Sequence, residues 1–239
     1  MDDETVIPYI LRTLNNTELA IKLASRANLP GADDLYQRQF ETLFQSGSYS
    51  EAAKVAANSP RGILRTPQTI EMFKGVQVQA GQMSPILQYF GILLEKGKLN
   101  KFESLELARP VLVQGRKQLL EKWLKEDKID CSEELGDIVR VHDMTLALSV
   151  YLRANVPNKV VACFAETGQF SKIIVYAQRV GYTPDYASLL QHITRQSPEQ
   201  GAEFAKMLVQ NEGGALVELE RVSHDSSGSW QGNVQRMRG

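Results

Sequence analysis

The same twelve-residue phrase occurs twice in this chain, at residues 19–30 and 146–157. The first copy reads Leu-Ala-Ile-Lys-Leu-Ala-Ser-Arg-Ala-Asn-Leu-Pro and the second Leu-Ala-Leu-Ser-Val-Tyr-Leu-Arg-Ala-Asn-Val-Pro. Most positions are identical or exchange one aliphatic residue for another. Each copy has the apolar spacing of an amphipathic helix and stops at Asn and then Pro. A second helical pattern and a Gly turn follow each copy. Repetition of helix-turn units marks a stacked α-solenoid, in which a unit covers its apolar face only by packing on its neighbours. Such folds present surface and length more often than catalytic pockets.

Helical spacing pervades the chain. Phe170, Ile173, Ile174, Ala177 and Val180 form one apolar stripe, and Ile86, Leu87, Phe90, Leu93 and Leu94 form another. Strand-like alternation is confined to Val76-Gln77-Val78, within the long irregular stretch 75–84. The expected fold class is all-α, an α-solenoid (α-zigzag) of short stacked helical hairpins. Helices are expected near 4–14, 17–27, 32–46, 50–58, 67–74, 85–96, 101–113, 115–126, 132–140, 144–153, 157–167, 169–180, 185–195 and 198–210. Ser197-Pro198-Glu199-Gln200 and Asn100 with Glu103 read as capping boxes, while Thr66-Pro67, Ser84-Pro85 and Thr183-Pro184 read as helix starts. Gly47, Gly97, Gly168 and Gly181 read as left-handed C-terminal stops. After the first three of these, Tyr49, Leu99 and Phe170 stand two positions on, placed to pack back across a hairpin turn. The periodic pattern ends near Gln210. Two regions are expected: a solenoid over 1–210 and an atypical flexible C-terminal tail over 211–239.

Chemistry-bearing residues are scattered. His142 and His192 fall in different expected helices, and His224 falls in the tail. Cys131 and Cys163 lack metal-ligand spacing, suit a reducing compartment and read as small packed hydrophobes. Asp33-Asp34 and Glu133-Glu134 sit in first helical turns, where they complement the helix dipole. No phosphate loop or dinucleotide fingerprint occurs. Catalytic, cofactor-binding and metal sites are therefore each expected to be none, and the chain is not expected to be an enzyme. Arg116, Lys117, Lys122 and Lys125 surround Trp123, but Glu121, Glu126 and Asp127 interleave with them. That segment reads as a solvated helix face with Trp123 anchored inward. A net charge of −1 and a pI near 6.3 argue against broad nucleic-acid or anionic-membrane binding. No apolar run is long enough to span a bilayer, and the acidic N-terminus lacks signal-peptide features. Asn15-Asn16-Thr17 matches a glycosylation sequon by chance.

Six stretches carry a family resemblance. They are Tyr-Ser-Glu-Ala-Ala-Lys-Val-Ala-Ala-Asn at 49–58, Gly-Ile-Leu-Arg-Thr-Pro at 62–67, Leu-Gln-Tyr-Phe-Gly-Ile-Leu-Leu at 87–94, Gly-Arg-Lys-Gln-Leu-Leu-Glu-Lys-Trp-Leu-Lys-Glu-Asp-Lys at 115–128, Cys-Ser-Glu-Glu-Leu-Gly-Asp at 131–137, and the second repeat copy extended to 159. These long ungapped words resemble the clathrin heavy chain, specifically its linker and the first part of its leg, over about Val6 to Gln210. The resemblance implies a structural coat component without catalysis or cofactor. It would support lattice assembly in endocytosis and vesicle-mediated intracellular transport, on the cytosolic face of coated pits and vesicles. The implied partners are other clathrin heavy chains through weak leg-to-leg contacts, with membrane association only indirect. The family also has an adaptor-binding β-propeller and a trimerising, light-chain-binding hub. Neither is expected within these residues, so adaptor and light-chain sites are not carried over, and the chain reads as a fragment, a truncated product or an imperfect gene model. A second reading is a stand-alone helical-repeat scaffold binding a protein or peptide. A solenoid interrupted after 210 would present Phe204, Met207 and Leu208, unless Leu216, Val217 and Leu219 fold over them.

Overall fold

A computed structural model describes residues 3–27 and 32–211. Among these residues all regular structure is helical: fourteen α-helices, one short 3-10 turn at Pro60–Gly62, and no strand. They are α1 (Asp3–Thr13), α2 (Thr17–Ala27), α3 (Ala32–Gln45), α4 (Tyr49–Ala57), α5 (Pro67–Lys74), α6 (Pro85–Lys96), α7 (Lys101–Val113), α8 (Lys117–Lys125), α9 (Glu133–Arg140), α10 (Met144–Ala154), α11 (Pro157–Glu166), α12 (Phe170–Val180), α13 (Tyr186–Gln196) and α14 (Pro198–Gln210). Fourteen expected helices become fourteen observed ones, with ends displaced by a residue or two. The stretch 75–84 holds no helix or strand. The chain divides into two compact units, residues 1–138 and 139–239, and α9 crosses the division.

In the first unit helices pack on their neighbours along the chain: α1 on α2, α2 on α3, α3 on α4, α4 and α5 on α6, and α7 on α8. The close approach at α4 follows from its sequence. Ala52, Ala53 and Ala56 share one face and are fully buried, so neighbouring backbones can come near. Bulky rings fill the space around them. Phe44 meets Tyr49 at 5.2 Å and Phe73 at 5.1 Å, both edge to face, and Phe73 stacks on Tyr89 at 4.6 Å. Tyr49 thus packs back across the Gly47 turn as its spacing predicts.

The stripe on α6 needs correction. Phe90 and Leu93 are buried as expected, but Leu87 is 53% exposed and Tyr89 is 0% exposed. Hydrophobicity alone favours Leu over Tyr. The buried carboxylate described below gives the Tyr89 hydroxyl a partner and reverses that order.

In the second unit α10 packs on α11, α11 on α12, and α14 on both α12 and α13. Phe170, Ile173, Ile174 and Ala177 are buried, whereas Val180, the last residue of the expected stripe, is 45% exposed. Phe204 meets Phe170 at 5.5 Å and Tyr186 at 6.5 Å, and with Leu208 it is buried. Met207 is half-buried. The proposed covering residues Leu216, Val217 and Leu219 lie outside the described residues, as does the expected tail beyond Asn211.

Local signals at the helix ends are mostly realised. At Gly47 and Gly168 the backbone turns left-handed, and the next amide closes the helix by reaching back to Leu43 and Phe164. Gly97 is different. Its φ of 170° is extended backbone, and the chain runs straight on so that the Leu99 amide donates to the Lys128 carbonyl at 2.8 Å. In the second repeat copy Asn155 is left-handed and Pro157 opens α11, as the phrase predicts. In the first copy Asn28 and Pro30 lie outside the described residues. Three caps depart from expectation. Ser84 precedes Pro85 at the start of α6, but its side chain makes no capping hydrogen bond. Asp185, not Thr183, caps α13, its carboxylate accepting from the Ser188 amide at 3.0 Å. Ser197 accepts from the Gln200 amide, but its own amide donates to Ile193 because it also closes α13. The box there is therefore one-sided.

Candidate functional site

Glu103 is a charged group buried to 0% exposure. Position 103 is the third residue of α7, and Asn100 caps that helix by accepting from the Glu103 amide at 3.0 Å. Glu103 reaches back to accept from the Asn100 amide at 2.8 Å, completing the capping box. Its carboxylate is fully buried, so two further donors offset its desolvation. Arg65 supplies a bidentate fork, Nε at 3.0 Å and a terminal nitrogen at 2.5 Å, and the Tyr89 hydroxyl donates at 3.1 Å. Arg65 also donates to the Lys98 carbonyl, and the Asn100 amide group donates to the Arg65 carbonyl at 2.9 Å. The hydrogen bond from Arg65 to Glu103 holds the guanidinium above its ordinary range. Burial, reinforced by the Glu103 charge, pushes the Tyr89 phenol far above its ordinary value. The network locks the segment before α5 to α6 and to the start of α7. It immobilises charge, with every strong acceptor already occupied, and so suits a joint rather than a reaction centre.

Other ion pairs also tie residues separated by roughly one repeat. Arg61 meets Asp33 at 2.8 Å, Lys74 meets Glu106 at 3.1 Å, Lys98 meets Asp127 at 2.9 Å and Lys101 meets Glu134 at 2.7 Å. In the second unit Arg140 pairs with Glu166. These pairs lie at the surface, where screening leaves each one weak.

The residues weighed from sequence do not converge. His142 is exposed after α9, and exposed His192 on α13 contacts Gln196 at 3.2 Å. His224 lies outside the described residues. Cys163 is buried, which pushes its thiol pKa up and makes it inert, and Cys131 is half-buried. Asp33 and Glu134 pair with Arg61 and Lys101 rather than facing a common point. Among the described residues no three His, Cys, Asp or Glu are placed to hold a metal ion, and no helix is long and apolar enough to cross a membrane.

The basic segment lies on α8 and its approach. Arg116, Lys117, Lys122 and Lys125 are exposed, and Lys125 pairs with Glu121 at 3.2 Å. The inward anchors there are Leu120 and Leu124, while Trp123 is only half-buried. Trp123 is thus not the inward anchor expected of it. Helical spacing puts Leu120 and Leu124, four apart, at the centre of the face.

Sequence reasoning missed the partnership of Arg65 and Tyr89 with Glu103. The capping box was a legible signal, but nothing local marks partners 38 and 14 residues away. It also missed a groove between α2, α3 and α4 that encloses about 680 Å³.

Residues 3–26 match the family described as the clathrin heavy-chain linker, and residues 28–93 match the family described as Clathrin-H-link. The chain is 64% identical over 213 residues to a clathrin heavy chain of Drosophila melanogaster, the alignment covering 89% of this chain and 13% of that one. It is 60% identical over 212 residues to clathrin heavy chain 2 of Homo sapiens, with 89% and 13% covered. Against a clathrin heavy chain of Dictyostelium discoideum it is 57% identical over 222 residues, with 93% and 13% covered. The chain thus spans about 13% of the length of the curated relatives it matches.

Proposed function

Since this chain belongs to the clathrin heavy-chain family, we propose that it serves as a structural segment of the clathrin coat, covering the linker and the start of the leg over residues 1–210. The carrying observation is 64% identity to a protein named as a clathrin heavy chain across 89% of this chain. The helical hairpins support the same reading. Buried alanine, aromatic and aliphatic faces hold neighbouring helices together, and the Arg65–Glu103–Tyr89 joint fixes one junction. Such a segment works mechanically. It sets the spacing between other parts of a heavy chain and offers its outer surface to neighbouring legs.

Its partners in this reading are other clathrin heavy chains, joined by many weak leg-to-leg contacts whose sum gives the lattice its strength. Light chains and adaptors engage the coat through other parts of the heavy chain. The segment acts without catalysis or cofactor, on the cytosolic face of coated pits and vesicles, in endocytosis and intracellular protein transport.

The test is replacement. Residues 3–210 are exchanged for the aligned segment of the full-length Drosophila heavy chain, in cells depleted of their own. Uptake of a fluorescent receptor ligand is then measured. The chimera is expected to restore uptake to the level of the unmodified chain. A chimera that accumulates normally but leaves uptake at the depleted level would overturn the proposal.

A further inference from the structure

The stretch 75–84 joins α5 to α6 without regular structure and without a charged residue. It holds the alternation Val76-Gln77-Val78-Gln79, which forms no strand. Every residue from Gln77 to Met83 is exposed, Val78 at 47%. Among the described residues the backbone of Val76, Gln77 and Val78 makes no hydrogen bond. The one backbone bond within the stretch runs from the Gln82 amide to the Gln79 carbonyl at 3.1 Å, around a left-handed Gly81. Every other glutamine among the described residues lies in a helix or, like Gln114 and Gln169, caps one. A helical glutamine enters an enzyme's cleft only after local unfolding, whereas Gln77 and Gln79 need none. The fold does not lean on this stretch. Helices α4 and α5 pack directly on α6, Lys74 pairs with Glu106, and Arg65 grips Glu103.

We propose that Gln77 and Gln79 are acyl-donor sites for a transglutaminase-type enzyme, which joins their side chains to a primary alkylamine such as the ε-amine of a lysine. The enzyme's cysteine thiolate attacks the carboxamide carbon, the C–N bond breaks, and ammonia leaves with a proton, giving a thioester. The amine then attacks the thioester carbonyl, an isopeptide C–N bond forms, and the thiolate and a proton are released. No oxidant or reductant is needed. Residues two apart on an extended chain share a side, so the two glutamines offer equivalent approaches. Val76 and Val78 supply apolar neighbours for a narrow cleft, and the stretch has no charge to desolvate. Gln82 is held by its turn and is the poorer donor.

The test incubates the whole chain with purified calcium-activated transglutaminase and dansylcadaverine, and locates the label by peptide mapping. Label is expected on Gln77 and Gln79, at least about tenfold above any helical glutamine. Gln77→Asn with Gln79→Asn should lower label in the peptide spanning 75–96 at least about tenfold, with circular dichroism and melting temperature unchanged. Gln82→Asn should leave labelling of Gln77 and Gln79 at the parent level. The labelled parent should also keep its melting temperature. Label spread evenly over helical glutamines, undiminished label in the folded double variant, or none while casein is labelled in parallel would overturn the proposal.

Discussion

At the residue scale, Glu103 shows how a buried charge becomes a joint. Its carboxylate accepts from Arg65, Tyr89 and the Asn100 amide, so removing any partner strands another. Arg65→Ala leaves the buried carboxylate without its counter-charge and is expected to cost about 3 kcal/mol in urea unfolding. Tyr89→Phe removes one neutral donor and is expected to cost about 1 kcal/mol near neutral pH. The two variants also differ in alkali. The Tyr89 phenol is held protonated in the fold and titrates near 10.0 when unfolded. Above that pH the unfolded chain loses a proton that the native chain retains, so stability falls as pH rises. The slope from this group approaches about 1.4 kcal/mol per pH unit. It is present in the parent chain and absent from Tyr89→Phe, which unfolding midpoints measured between neutral pH and pH values above 10.0 will show. The capping half of this site was legible, because Asn100 and Glu103 lie three apart on one helical start. The tertiary half was not, because Arg65 is brought in by packing of whole helices rather than by local spacing.

At the element scale, two positions decide how helices end and meet. Gly201 on α14 faces Thr194 on α13 so closely that an added Cβ would lie 2.2 Å from its hydroxyl oxygen and 2.9 Å from its Cα. Gly201→Ala is expected to push the two helices apart and cost about 1–3 kcal/mol, measured by denaturant unfolding. Trimming the threonine side chain as well should recover only part, because the backbone contact remains. Asn155 closes α10 in a left-handed conformation. Asn155→Gly should be neutral or slightly stabilising in thermal melts, and Asn155→Val destabilising by about 1–2 kcal/mol. Most helix boundaries were readable because Pro, Gly, Asn and Ser act through local backbone chemistry. The errors arose where one residue served two elements or where tertiary contacts intervened. Ser197 ends α13 while starting α14, and the extended Gly97 hands the chain to a bond between Leu99 and Lys128. Leu87 and Tyr89 exchanged roles because a buried acceptor outweighed hydropathy.

At the scale of the whole molecule, stacked hairpins give stability that is local. Each helix draws its core contacts from near neighbours, so damage should not spread far. Hydrogen exchange of Arg65→Ala is expected to lose protection chiefly in α5, α6 and α7, with α10 to α12 close to the parent. Uniform loss across all helices would mean a single cooperative fold instead. Local coupling suits a part that transmits spacing rather than signals. The function proposed for this segment is to build coat. Its most direct measurement is cage assembly by a purified Drosophila heavy chain carrying residues 3–210 of this chain, viewed by negative-stain electron microscopy. Closed polyhedral cages, with the size distribution of the unmodified protein, are predicted. Folded, soluble chimeras that form no cages under the same conditions would contradict the account.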